Sequence, residues 1–165
     1  MVLRAYRSED AAIICKWIRT ENELYQWSAD RFNRFPLTPA DIDGEYAAQT
    51  GTGRFFPFTA KDDAGRVIGH FIMRYPREHD DSAVRFGFVI ADPAYRGKGI
   101  GRQMLLQGLA YARDVLHAAS AELGVFANNP QAIRCYASVG FQEYQRSMCT
   151  LPPGTWECIE MRVLL

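Results

Sequence analysis

Asp92-Pro93-Ala94-Tyr95-Arg96-Gly97-Lys98-Gly99-Ile100-Gly101-Arg102-Gln103 joins an apolar run of β type to an amphipathic run of helical type. Gly97, Gly99 and Gly101 lack a Cβ, so consecutive backbone N–H groups can turn toward one anion. They do so at a helix start, where unpaired amides and the helix dipole favour negative charge. Arg96, Lys98 and Arg102 add positive charge around the same turn. The stretch reads as a phosphate cradle, and it predicts a strand before it and a helix after it.

Two common glycine-rich strand-to-helix turns are excluded by spacing. A dinucleotide fingerprint counted from Gly99 needs Gly or Ala where Met104 stands, and counted from Gly97 it needs one where Arg102 stands. A triphosphate-binding loop ending at Gly97-Lys98 needs Gly at Asp92 and Ser or Thr at Gly99.

Outward from the loop, Val84, Phe86, Phe88 and Ile90 alternate with Arg85, Gly87 and Val89, which predicts a strand, with Gly87 marking a bulge or a close approach. From Ile100 onward, Met104, Leu105, Leu109, Ala112, Val115 and Leu116 fall at helical spacing, and Leu123–Ala127 reads as the next strand. A strand, a crossover helix and a second strand in one sheet run parallel and right-handed. Leu3–Tyr6 predicts a first strand, Ser8 with Glu9 and Asp10 a helix start, and Thr38-Pro39 another. Phe55–Ala60 and Val67–Met73 flank a turn at Asp62-Asp63-Ala64-Gly65 as a hairpin, and two late strands cover Phe141–Met148 and Thr155–Leu164. No element is legible between Glu21 and Leu37. The predicted class is α+β with a mixed sheet.

A second motif follows at a distance: Asn129-Pro130-Gln131-Ala132-Ile133-Arg134-Cys135-Tyr136-Ala137-Ser138-Val139-Gly140-Phe141. Asn129 then Pro130 predicts a helix start, and Asn129, Ala132 and Tyr136, spaced three and four apart, share one face of that helix. Together the Arg-Gly-Lys-Gly-Ile-Gly loop and this element resemble the GNAT superfamily of coenzyme-A-dependent N-acetyltransferases over about Val84 to Phe141. The resemblance implies a mostly antiparallel sheet of six to seven strands, a central parallel pair splayed around the cofactor, and about four helices. It implies one N-acetyltransferase domain over 1–165, with a cofactor half near 84–141 and an acceptor-shaping half near 1–75 plus the last strands.

The same resemblance implies acetyl-CoA as cosubstrate and a primary amine as acceptor. The amides and side chains of Arg96, Gly97, Lys98, Gly99, Ile100, Gly101 and Arg102 would hold the pyrophosphate. Asn129 and Ala132 would meet the pantetheine arm, and a backbone N–H among Val89, Ile90 and Ala91 would face the oxyanion. Tyr136 would approach the sulfur, and a phenol, protonated at neutral pH, suits proton donation to a departing thiolate. Acetyl transfer of this type requires neither a metal nor a covalent acyl-enzyme. Several family members carry a glutamate on the strand before the loop, where this chain has Arg85, so the general base stays open among water, Glu143, Glu21 and Glu23. That substitution also leaves open an acyl-CoA-binding sensor without turnover. Glu21, Glu23 and Asp30 favour a cationic acceptor such as a polyamine, an amino sugar or a protein N-terminus. The choice between acetyl and a slightly longer acyl group also stays open.

Composition narrows the classes further. The 19 basic residues among 165 balance 19 acidic ones, which argues against a broad nucleic-acid-binding face. The first ten residues lack the apolar core of a signal peptide, and no run approaches the roughly 18 apolar residues of a membrane span, so a cytoplasmic setting is expected. Cys15, Cys135, Cys149 and Cys158 form no C-x-x-C pair and are expected as reduced structural thiols. Cys149 and Cys158 flank Pro152-Pro153-Gly154 at nearly equal distance and are placed to face each other across a hairpin. Members of the resembling family commonly pair through their late strands, so a homodimer is admitted.

Overall fold

The computed structural model describes residues 1–32 and 34–165. Its sheet has seven strands in the order β1-β2-β3-β4-β5-β7-β6. The strands are β1 (Val2–Ala5), β2 (Phe55–Lys61), β3 (Val67–Arg74), β4 (Ala83–Ala91), β5 (Ser120–Phe126), β6 (Gln142–Leu151) and β7 (Gly154–Leu164). The helices are α1 (Ser8–Ile14), α2 (Glu21–Ser28), α3 (Pro39–Ala47), α4 (Ile100–Asp114) and α5 (Pro130–Ala137). Only β4 and β5 run parallel; every other neighbouring pair is antiparallel. No helix among the described residues is long and apolar enough to cross a membrane.

Local chemistry explains the helix starts. Thr38 and Asp41 form a reciprocal capping box with Pro39 in the first turn, and Asn129 Oδ1 accepts from the Ala132 N–H at 3.2 Å. The unread segment holds α2, whose cap is Thr20 Oγ1 accepting from the Glu23 N–H at 3.1 Å. The described residues thus hold five α-helices where about four were expected. The extra one was obscured because its apolar residues, Leu24, Tyr25 and Trp27, are few and mixed with Glu and Gln.

The sheet carries an apolar cluster on each face. One joins Phe71, Phe86, Met104, Leu105, Leu123 and Phe141 under α4 and α5. The other joins Ile14, Trp17, Leu24, Ile42, Tyr46 and Ile72 under α1, α2 and α3. Gly108 lets α4 settle directly on the strands: a Cβ there would lie 2.8 Å from Phe86 and 2.9 Å from Phe71. That contact fixes where the N-terminus of α4, and the loop before it, must lie.

Three details refine or correct the sequence expectation. Gly87 marks a close approach, a Cβ there lying 3.3 Å from Ile72 Cγ1, while the β4 bulge itself falls just past it, where Phe88 has φ +52° and the β3–β4 register shifts between His70 and Ile72. Val115 and Leu116 lie outside α4, which ends at Asp114. Cys149 pairs with Trp156 and Cys158 with Ser147, so the two thiols are diagonal neighbours rather than directly opposed.

Candidate active site

The parallel pairing of β4 and β5 covers only Ala83↔Ser120, Val84↔Ala121 and Arg85↔Glu122. Past Arg85 the two strands separate, β4 continuing to Ala91 and β5 to Phe126. Phe88 sits at the bulge that turns β4 away, in a positive-φ conformation that costs a non-glycine residue about 1–3 kcal/mol. A cavity of about 630 Å³ occupies this opening. It is large enough for an extended ligand beside a small one.

Val89, Ile90, Ala91, Arg96, Gly101, Asn129, Ala132 and Tyr136 all line the cavity, whereas Gly97, Lys98, Gly99, Ile100 and Arg102 stand outside its lining. The Asp92 N–H donates to Ile68 O at 2.9 Å, so by the alternation of an antiparallel ladder Ile90 also faces β3. Ala91, between them, turns its N–H toward the open side. Of those two residues Ala91, not Ile90, therefore offers a donor to the cavity.

At the mouth, Gly97 and Gly99 have φ +76° and +77°, the left-handed geometry that only glycine adopts without strain. The N–H groups of Gly97, Gly99, Ile100, Gly101 and Arg102 have no hydrogen-bond acceptor among the described residues. They form a run of unpaired donors at the start of a 15-residue helix. Tyr95 anchors the turn, its hydroxyl donating to Asp62 at 3.0 Å while the Lys98 ammonium lies 5.0 Å from its ring centroid. The donor set fits a diphosphate.

Along α5, Asn129, Ala132 and Tyr136 present one face to the cavity. Asn129 spends its carbonyl oxygen on the helix cap, leaving its amide nitrogen for other partners. Tyr136 is 8% exposed, and its hydroxyl has no partner among the described residues. Burial, with a smaller effect from Cys135, holds its pKa well above the ordinary tyrosine value, so the proton stays on the oxygen.

The far end was not legible in the sequence. Arg85 reaches across Gly124 to Glu160, donating at 2.7 and 3.0 Å as a two-pronged pair. A Cβ at Gly124 would lie 2.8 Å from Arg85 Nη2, so that glycine makes the bridge sterically feasible. Arg74 stands directly opposite Arg85 and also lines the cavity, as do Trp17, Trp27, Arg31 and Glu45. Of the base candidates, Glu143 lies away from the cavity, paired with Arg146 on β6, and Glu21 is absent from the lining. Glu23 lines it while accepting from the Arg19 N–H at 2.8 Å. Among the described residues no group of three His, Cys, Asp or Glu is placed to hold a metal ion.

The sequence matches the model of the acetyltransferase (GNAT) family over residues 20–141, and the chain belongs to that family. It is 29% identical over 153 residues to a mycothiol acetyltransferase of Rhodococcus erythropolis, covering 90% of this chain and 48% of that protein. It is 34% identical over 95 residues to the mycothiol acetyltransferase of Rhodococcus jostii, covering 56% of this chain and 30% of the other. The chain thus spans about half or less of the length of these relatives. A spermidine N-acetyltransferase from Vibrio cholerae, solved in complex with CoA and spermine, superposes with a TM-score of 0.82 at 19% identity, over 99% of this chain and 94% of the other. That likeness is one of fold.

Proposed function

We propose that this chain transfers an acetyl group from acetyl-CoA directly to a primary amine. One observation carries the reading: a single cavity runs through the β4–β5 opening, lined by Arg96 and Gly101 of the glycine-rich turn at one part and by Tyr136 at another. Membership of the acetyltransferase family supports it. The unpaired amides from Gly97 to Arg102, with Arg96 beside them, would hold the diphosphate, and Asn129 and Ala132 would flank the pantetheine arm. When bound, acetyl-CoA supplies the activated acyl carbon.

In the transfer the new N–C bond forms as the C–S bond breaks; one proton leaves the amine and one reaches the thiolate sulfur. Tyr136 donates the second proton. The Ala91 N–H faces the developing oxyanion. Glu23, Asp30 and Glu45 offer carboxylate routes for the first proton. A cytoplasmic setting, in keeping with four free cysteines, belongs to the same proposal. So does a homodimer through β6, the outer strand on which Tyr144 and Met148 are exposed; sedimentation velocity at micromolar concentration would then give twice the chain mass.

Tyr136→Phe is the direct test. CoA affinity by calorimetry is expected to stay within about twofold, while thiol release from acetyl-CoA with an accepted amine falls by about 10²–10⁴-fold. Turnover equal to that of the parent protein would remove Tyr136 from the chemistry.

A further inference from the structure

Arg74 closes β3 directly across from Arg85. Two cations directly opposite each other across a ladder destabilise it, and nearby counter-charge relieves the repulsion. Arg85 has its counter-charge in Glu160. The Arg74 guanidinium has neither an ion pair nor a hydrogen bond among the described residues, although the residue is partly buried and lines the cavity. Burial, then Arg85, then Arg31 push its pKa downward, and no carboxylate offsets them. Arg31, on the exposed segment after α2, lines the same cavity.

The carboxylates that share the cavity are engaged elsewhere or stand at its rim. Glu23 accepts from the Arg19 N–H, Glu45 accepts from the Gln49 amide at 3.1 Å, and Asp30 is exposed. None is bonded to Arg74. The acceptor end therefore has an uncompensated cationic floor beneath an acidic helical rim. A polycationic acceptor would meet Arg74 and Arg31 with like charge, whereas an amine that also bears an oxyanion satisfies both sides. Guanidinium groups match carboxylate and phosphate oxygens in two-pronged geometry.

On the reading of the cavity as an N-acetyltransferase site, we propose that the acceptor is an amine bearing an oxyanion, carboxylate or phosphate, which Arg74 and Arg31 hold while the amine points into the β4–β5 opening.

The test begins with CoA titrated into the parent protein by calorimetry, which judges the acetyltransferase reading by itself. The CoA-saturated protein is then titrated with sodium acetate and with inorganic phosphate at constant ionic strength. Millimolar binding of at least one is expected, weakened tenfold or more in Arg74→Gln and measurably in Arg31→Gln. Because Arg31 is exposed, its variant keeps the test available if Arg74→Gln folds poorly. In turnover, α-amino acids and aminoalkyl phosphates are compared with matching carboxamides and amino alcohols. The charged members are expected to show at least tenfold higher kcat/KM, and Arg74→Gln to lower that charged-to-neutral ratio by tenfold or more. Preference for the phosphate or the carboxylate set names the source of the oxyanion.

The proposal is overturned if neither anion binds the CoA complex, if Arg74→Gln binds both as the parent does, or if neutral amines or polyamines are preferred. Should CoA itself fail to bind, the acetyltransferase reading falls, and the comparison of parent and Arg74→Gln is made on the free protein to judge the anion site separately.

Discussion

His70 and Asp10 are two polar side chains sealed in the interior, 0% and 1% exposed. Their pKa shifts set how the protein responds to acid. His70 Nε2 lies 2.7 Å from the Tyr46 hydroxyl, and burial pushes its pKa down to about 3. It is neutral when folded but takes a proton in the unfolded chain below about pH 6.5. Stability is therefore full above pH 6.5 and declines as pH falls toward the folded value. For Asp10 burial works to raise the pKa. Arg4 at 2.7 Å, the Arg7 N–H at 3.0 Å and Thr59 at 2.8 Å outweigh it and hold the pKa low. Its contribution is present above about pH 4 and lost below. Thermal melts should show the midpoint falling in two stages, first between about pH 6.5 and 4, then more steeply. His70→Gln, which cannot charge, is expected to flatten the first stage. A variant that retains that first slope would show that His70 is not its source. Asp10→Asn leaves Arg4 half-unpaired in a buried site and is expected to cost about 3 kcal/mol at pH 7, read from denaturant unfolding.

Among the elements, those whose signals are local were legible and those set by distant partners were not. β4, α4 and α5 follow from alternation, helical spacing and caps, all contained within a dozen residues. Tyr136 reaches the cavity because its spacing from Asn129 fixes the helix face. The exact bulge residue depends on how β3 and β4 slip against each other, so the glycine at 87 drew attention while Phe88 took the positive φ. The Arg74–Arg85 confrontation joins two strands across a loop, and the Arg85–Glu160 bridge spans 75 positions of sequence. Neither leaves a trace in local pattern. Glu143, a base candidate from sequence, is claimed instead by Arg146 three residues away on the outer strand. The late hairpin shows the same limit on a smaller scale, since a two-residue offset in register separates Cys149 from the position opposite Cys158.

For the molecule as a whole, the splay is a weak line through an otherwise continuous sheet. Two apolar clusters lie on opposite faces, and along the cavity β4 and β5 exchange no ladder hydrogen bonds past Arg85. A ligand that enters this opening and also engages the amides at the start of α4 bridges β4, α4 and α5 at once. Because such a ligand binds the folded chain alone, it stabilises by mass action, by about 2.7 kcal/mol at a hundredfold excess over Kd. For a chain of 165 residues that corresponds to a rise in Tm of about 5–10 °C. CoA is expected to produce this shift, and pantetheine, which lacks the diphosphate, much less of it. Arg74→Gln should keep the full CoA shift, because Arg74 stands on β3 opposite Arg85, away from the loop before α4. Differential scanning fluorimetry across a CoA series decides the point: an unchanged Tm at millimolar CoA, or an equal shift with pantetheine, would mean that the unpaired amides of Gly97–Arg102 do not grip a diphosphate.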